Sequence, residues 1–410
     1  MDLQAVSPLP FDVLAHIMAH SDDQTISMLM KSTRELYYAG AKYILDYDYI
    51  VLGKLRDVVS WMKFMSAEGG SRFKYLDGLE FRMKELPSPF ARWLGRFITE
   101  NRSLWRINSL RLPHAESFLV AHFNLADSFA LISSIETLIL GEVGVISAEM
   151  ISSLQSQVKH AELDMLPMED EGSDISDSEL DEEEDARNPI LLLHNSTDTL
   201  ETLTTYGSIA LPRGLRSLYD EVYPHVHNLE LMEASDMQLT ALFAHAYPNL
   251  RRLRLEMSNN SFKAIESGKT PSMDEQRLLN FQEQIVHAGW KGLETVHGSI
   301  ADLYILALQC PVKNVILSGP FMHQLTFRSV VDDTTPRFLC LRGFGEDIFT
   351  RAFANTMSRP SASQLECFEA MIVLMEPEDV DMPAMLVRLQ TFPAGHSLTT
   401  QMPSFVDAFH

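Results

Sequence analysis

Two hydrophobic periodicities divide this chain. From Pro10 to about residue 45 the apolar positions follow a helical spacing: Val13, Leu14, Ile17 and Met18 share one side of a first helix. Pro10 suits a first helical turn, and Asp12 complements the positive helix end. Ser21-Asp22 then caps a second helix carrying Ile26, Leu29 and Met30, and a third runs through "STRELYYAGAKYILDY" with Leu36, Ala39, Tyr43 and Ile44 inward. Residues 1–48 therefore read as a three-helix module. Residues 49–105, containing "VVSWMKFM" and "FARWLGRFITEN", read as a helical linker or the cap of a first repeat.

Beyond residue 105 the pattern shortens to apolar pairs in strand-like settings, from "NSLRLPH" and "ETLILGE" to "RFLCLRG" and "ECFEAMIV". With Leu110, Leu138, Leu163, Leu203, Leu229, Leu253, Val296, Val315, Leu339 and Phe368 as markers, the intervals are 28, 25, 40, 26, 24, 43, 19, 24 and 29 residues. Helix-like stretches lie between them. "SDMQLTALFAHAY" puts Leu239, Leu242, Phe243 and Ala246 on one face, and "ADLYILALQ" and "EDIFTRAFANTM" behave alike. The two long intervals contain polar stretches, around 169–185 and around "SNNSFKAIESGKTPSMDEQ", and read as loop insertions. Strand, loop and helix repeated at this period predict an α/β solenoid over 106–410, each unit leaving an apolar face that its neighbours bury. A non-repetitive α/β domain with a parallel sheet is the alternative.

Composition supports a folded chain of 410 residues, 46% hydrophobic and 9% aromatic. The start "MDLQAVSPLP" has no basic stretch feeding an apolar one, and no run of 18 apolar residues occurs, so neither a secretory signal nor a membrane span is expected. Net charge is −23, which disfavours nucleic acid and anionic membranes as partners. Nearly half of it is local: "EDEGSDISDSELDEEED" (169–185) holds eleven acidic residues and no basic one, predicting a solvated insertion over 168–188. Ser176 and Ser178 each precede an acidic residue by three positions, which resembles acidophilic kinase sites and makes them phosphorylation candidates.

Candidate chemistry is sparse. There is no Gly-x-Gly-x-x-Gly, Walker lysine, Gly-x-Ser-x-Gly or Cys-x-x-Cys, and "LRGFGED" reads as a turn after a strand. His16 and His20 have a metal-compatible spacing, but Ile17 stands where a metalloprotease helix carries Glu, so they read as polar-face histidines. Cys310, Cys340 and Cys367 are too few and too far apart for a zinc site or disulfide framework and read as core thiols in a reducing compartment. No enzyme activity, metal or cofactor is expected.

The Leu9-Pro10 step, the Val13-Leu14 and Ile17-Met18 pairs, Ile26, Leu29 and the third helix resemble an F-box, with Ser32-Thr33-Arg34 and Tyr37-Tyr38 where that family often has Cys-Arg and Trp. The repeats resemble the irregular leucine-rich repeats of F-box proteins, especially fungal ones. The resemblance implies a substrate-recognition subunit of an SCF-type ubiquitin ligase, cytoplasmic or nuclear, whose partners are the Skp adaptor, the cullin ligase core and a protein client. It implies adaptor contacts at Leu9, Pro10, Val13, Leu14, Ile17, Met18 and Leu29, with Leu9 and Leu14 weighing most. The alternative is a leucine-rich scaffold or acidic binding module outside any ligase. A mere cap would bury its helices against Lys54–Met65, whereas a docking module exposes its Leu9 and Leu14 edge.

Overall fold

In a computed structural model, residues 9–166, 188–207, 220–234, 239–258, 271–319, 324–344, 350–372 and 397–399 are described. The acidic stretch with Ser176 and Ser178 lies outside them. So does most of the second predicted insertion. Asn188 is buried and caps a following helix, so the first insertion, read over 168–188, ends before Asn188. The chain divides into two units, Met1–Ala161 and Glu162–His410.

The first unit opens with α1 (Phe11–Ala19), α2 (Asp23–Met30) and α3 (Arg34–Ile44). Their ends follow local chemistry: Pro10 precedes α1, Asp22 accepts the Thr25 N–H at 2.7 Å to cap α2, and Thr33 accepts the Leu36 N–H to cap α3. Met18, Ile26, Met30 and Leu36 form the module's core. Gly40 lets α3 approach closely, because a Cβ there would lie 2.3 Å from Met30 Cγ and 2.4 Å from Met18 Cε.

Next come β1 (Ile50–Leu52), α4 (Leu55–Ser66), β2 (Gly78–Phe81), α5 (Ser88–Glu100) and β3 (Ser109–Leu112). They are followed by α6 (Ala115–Leu119), α7 (Asn124–Ala130), β4 (Thr137–Val143) and α8 (Val145–Ser152). β1 to β4 pair in parallel and in chain order. The segment 49–105, read as a helical linker or the cap of a first repeat, contains two strands, and parallel pairing starts at Ile50. In β2 all four residues are buried, so this short strand has no exposed face to mark it. Its one charged residue, Glu80, is accommodated inside: the guanidinium of Arg82 bonds it and that of Arg111 lies 3.7 Å away, so its carboxylate is enclosed by arginines.

Strand β5 (His160–Met165) runs into the second unit, which continues with α9 (Pro189–Leu192), β6 (Thr202–Tyr206), β7 (Asn228–Ala234), α10 (Thr240–Ala246) and β8 (Arg252–Met257). After them come α11 (Met273–His287), β9 (Leu293–Ser299), α12 (Ile300–Leu306), β10 (Val312–Ser318) and α13 (Gln324–Thr334). The last described elements are β11 (Phe338–Phe344), α14 (Arg351–Met357), β12 (Cys367–Ile372) and β13 (Ser397–Thr399). Strands β6 to β13 are again parallel and in chain order. Parallel neighbours cannot be joined by a tight turn, so each connection must cross back over the array, which is where the helices form.

The predicted period is realised as register. Leu203, Leu229, Leu253, Val296, Val315, Leu339 and Phe368 stand side by side across seven strands, all buried, and Leu110 pairs with Leu138 in the first unit. Each buried aliphatic rung contributes roughly 1.5–3 kcal/mol. Five units share a left-handed backbone position four residues after the marker, at Glu142, Gly207, Glu233, Gly319 and Gly343, whereas His114 after Leu110, Met257 after Leu253 and Ile300 after Val296 do not adopt it. Cys310 and Cys340 are buried, and Cys367 is half-buried.

Helix α11 departs from the sequence reading at its start and from ordinary amphipathicity along its length. Its first turn belongs to a stretch expected to be loop, and its amphipathicity is inverted. Gln276, Asn280 and Gln284 are buried, while Leu278, Leu279, Phe281, Ile285 and Val286 are exposed.

Candidate functional site

Two surfaces, one in each unit, carry side chains that the fold does not use. The first is the flank of α1. At 100° per residue Leu14 and Met18 turn toward the three-helix core, and Val13 and Ile17 form a second apolar stripe beside them. Val13, Ile17, Phe11 and Pro10 are exposed, and Leu9 is 57% exposed at the head of the same stripe. Leu14 and Leu29 are half-buried and pack against the core. Met18, expected among the adaptor contacts, is 0% exposed and belongs to the core, so it is unavailable to a partner. Phe11, Met28, Tyr37 and Tyr38, which the sequence pattern does not single out as contacts, are exposed near it in the chain.

The module is also anchored. Phe64 of α4 packs against its core. The buried Arg72 guanidinium lies 4.0 Å over the Phe64 ring and 4.6 Å over the Tyr37 ring, donating to Phe64 O and Glu68. The helices thus meet the segment predicted for a cap while leaving the Leu9 edge open. His16 and His20 are exposed, with ring centroids 4.7 Å apart. Among the described residues no group of three or more His, Cys, Asp or Glu is arranged to hold a metal ion.

The second surface is the outward strand face of the second unit. Alternation turns Thr204, Glu230, Arg254, His297, Ile316, Cys340 and Glu369 to one side in a single register row, in which Cys340 is buried and the others are half-buried. Thr202, Asn228, Arg252, Thr295, Asn314, Phe338 and Cys367 form the row before it. Arg254 lies 3.6 Å from Glu230 and 3.8 Å from Glu256, which neutralises part of the face internally. His297 is held below its usual pKa, first by burial and then by Arg254 and Arg342, against the opposing Glu230. Tyr206 is pushed up by burial and by Glu162 and Glu230. His297 and Cys340 stand two strands apart with Ile316 between them, so the row does not bring a thiol and an imidazole into contact.

The same unit has a cleft of about 630 Å³ where the C-terminal ends of α10 and α11 meet the turns before β8 and β9. Trp290, Pro248 and Ala288 line its apolar part, and Arg251, Lys291 and His245 its polar part.

The described strands and helices define a parallel-stranded α/β fold, which is consistent with a solenoid-like repeat. No known family's profile matches the chain, and no curated protein is significantly similar to it. Among the described residues no helix is long and apolar enough to cross a membrane.

Proposed function

We propose that this chain is the substrate-recognition subunit of an SCF-type ubiquitin ligase, docking a Skp adaptor through α1 and holding a protein client on the strand face of an irregular leucine-rich repeat array. The observation that carries the reading is the open Leu9, Val13 and Ile17 edge. Three short helices bury one side of α1 in their own core and leave an apolar stripe outward, which is what an adaptor-docking module needs. Arrays of parallel strands offer an extended polar face suited to protein recognition, and the fold does not dictate which client that face accepts. Chemistry is left to the ligase partners.

The test is co-purification of the full chain with a Skp adaptor, beside a Leu9→Ala, Val13→Asp, Ile17→Asp variant. These exposed positions replace Leu14, whose half-buried side chain supports the module core. Stoichiometric capture is expected for the wild type. The variant should keep its circular dichroism and lose about 2 kcal/mol or more of binding, roughly 30-fold. No capture by the folded wild type overturns the reading.

One observation favours a second reading. Phe64 and Arg72 tie α3 to the start of the array, so the helices also act as its cap, as in a leucine-rich scaffold outside any ligase. Wild type that folds, ignores the adaptor and unfolds when Phe64 is replaced by Ala would favour it.

A further inference from the structure

Helix α11 buries polar side chains because its inner face closes two neighbouring helix ends. Asn280 Oδ1 accepts the Thr240 N–H at 3.0 Å at the start of α10, and its Nδ2 donates to Ile305 O at 2.8 Å. Gln284 Nε2 donates to Leu306 O and Ala307 O, carbonyls that the end of α12 leaves without helical partners. With the inner face so committed, the apolar residues point outward. Leu278, Phe281 and Ile285 form a stripe at i, i+3 and i+7, widened by Leu279 and Val286, with Ile285 68% and Val286 72% exposed.

Charge is distributed along the same helix. Asp274 and Glu275 are exposed at its N-terminal end, and Arg251 and Lys291 are exposed around the cleft at its C-terminal end. Neither Arg251 nor Lys291 has an ion-pair partner among the described residues. Arg277 near the N-terminal end is paired with Asp333, and Glu283 near the C-terminal end lies 3.4 Å from His287, so the charge left without a partner reads acidic, apolar, basic along a helix of about 22 Å. A partner of a single charge would answer one end and be repelled by the other. A second copy of this surface, turned antiparallel about a two-fold axis, answers both ends at once and lays Leu278 toward the partner copy's Ile285.

We infer that the outer face of α11 is a self-association surface, on which two copies of this chain pair antiparallel through the apolar stripe, with the acidic end of each helix against the basic end of the other. This does not depend on the ligase reading. Five partly exposed side chains make a patch of a few hundred Å², the size of the largest and often functional patch on a typical monomer, and two such faces bury at most on the order of 1,000 Å², the lower bound for a specific interface. The pairing is accordingly weak and concentration-dependent.

The test is sedimentation of the full chain from about 1 to about 100 µM, a range that brackets weak pairing. Mass should rise from the 46.4 kDa of one chain toward twice that value. Ile285→Asp, at an exposed position, should lower self-affinity at least tenfold without changing circular dichroism. Lys291→Glu and Asp274→Lys should each weaken self-pairing, and their mixture should restore a one-to-one pair, because both end contacts then join opposite charges. Asp274→Lys also loses the Tyr304 hydroxyl contact, so its fold is checked alongside. Wild type that stays at the mass of one chain throughout, or pairing indifferent to Ile285→Asp and to the charge exchange, overturns the inference.

Discussion

Replacing Asn280 by Ala should be among the most damaging substitutions in the second unit, although sequence periodicity would place that residue on the surface. Asn280 is fully buried, and truncation strands two main-chain groups, the Thr240 N–H and the Ile305 carbonyl. An unpaired buried polar group costs about 1–3 kcal/mol, so the expected loss for two is about 2–6 kcal/mol, a large share of the stability of an ordinary domain. Leu278→Ser, two residues away and exposed, should stay within about 0.5 kcal/mol. The assay is urea unfolding followed at Trp290, whose buried indole donates to Tyr247 O at the end of α10. Hydrogen exchange at the Thr240 amide reports the lost acceptor directly. If Asn280→Ala is no worse than Leu278→Ser, or Thr240 keeps its protection, then α11 is not held by its polar side and the account of its inversion fails.

Two further outcomes are expected. His297 is held below its usual 6.5, so below about that pH the unfolded chain binds the proton that the folded chain refuses. Its contribution to stability is complete above 6.5 and is lost as pH falls through the lowered value, which should make the melting temperature of wild type drop more steeply below pH 6.5 than that of His297→Gln; an imidazole titrating at or above 6.5 by NMR would refute the sign. The left-handed position of the repeat predicts opposite responses to glycine exchange: Gly343→Ala, at φ 77°, should destabilise by about 1 kcal/mol, whereas Glu233→Gly, at φ 51° and exposed, should be neutral or stabilising by up to about 1 kcal/mol in chemical unfolding. Equal losses in the two variants would count against backbone strain at that position.

The legible part of this chain is the part in which one face is apolar and the spacing is kept. Leu203, Leu229, Leu253, Val296, Val315, Leu339 and Phe368 can be chosen by alternation alone, and hydrogen bonding sets them in one row. Three features hide from that logic. Strand β2 is only four residues long, and its charged Glu80 is buried among arginines, one of them contributed by β3, so too little alternation surrounds Leu79 to mark a strand. In α1, two apolar stripes lie about 60–100° apart at the helical advance, and nothing local tells which one faces the core, so the spacing alone groups Met18 with Ile17. In α11 the periodicity is present but its sign is reversed, because the inner face satisfies main-chain groups 40 residues upstream and 25 downstream. The polar row of Glu230, Arg254 and His297 is likewise unreadable in advance, since it requires the register between strands separated by the 43-residue interval.

The two apolar exposures have different causes, and the difference fixes how each can be tested. The flank of α1 is open because three short helices have too little surface to enclose both sides of one of them, so its openness follows from size. The face of α11 is open because Asn280 and Gln284 take the interior, so its openness follows from hydrogen bonding. In both, the exposed side chains contribute little to folding. Val13 and Ile17, or Leu278 and Ile285, can then be made polar while Met18 and Asn280 continue to hold the structure. A binding defect in either set reports on the surface, and the same defect accompanied by unfolding would mean that the division between supporting and presenting residues had been drawn in the wrong place.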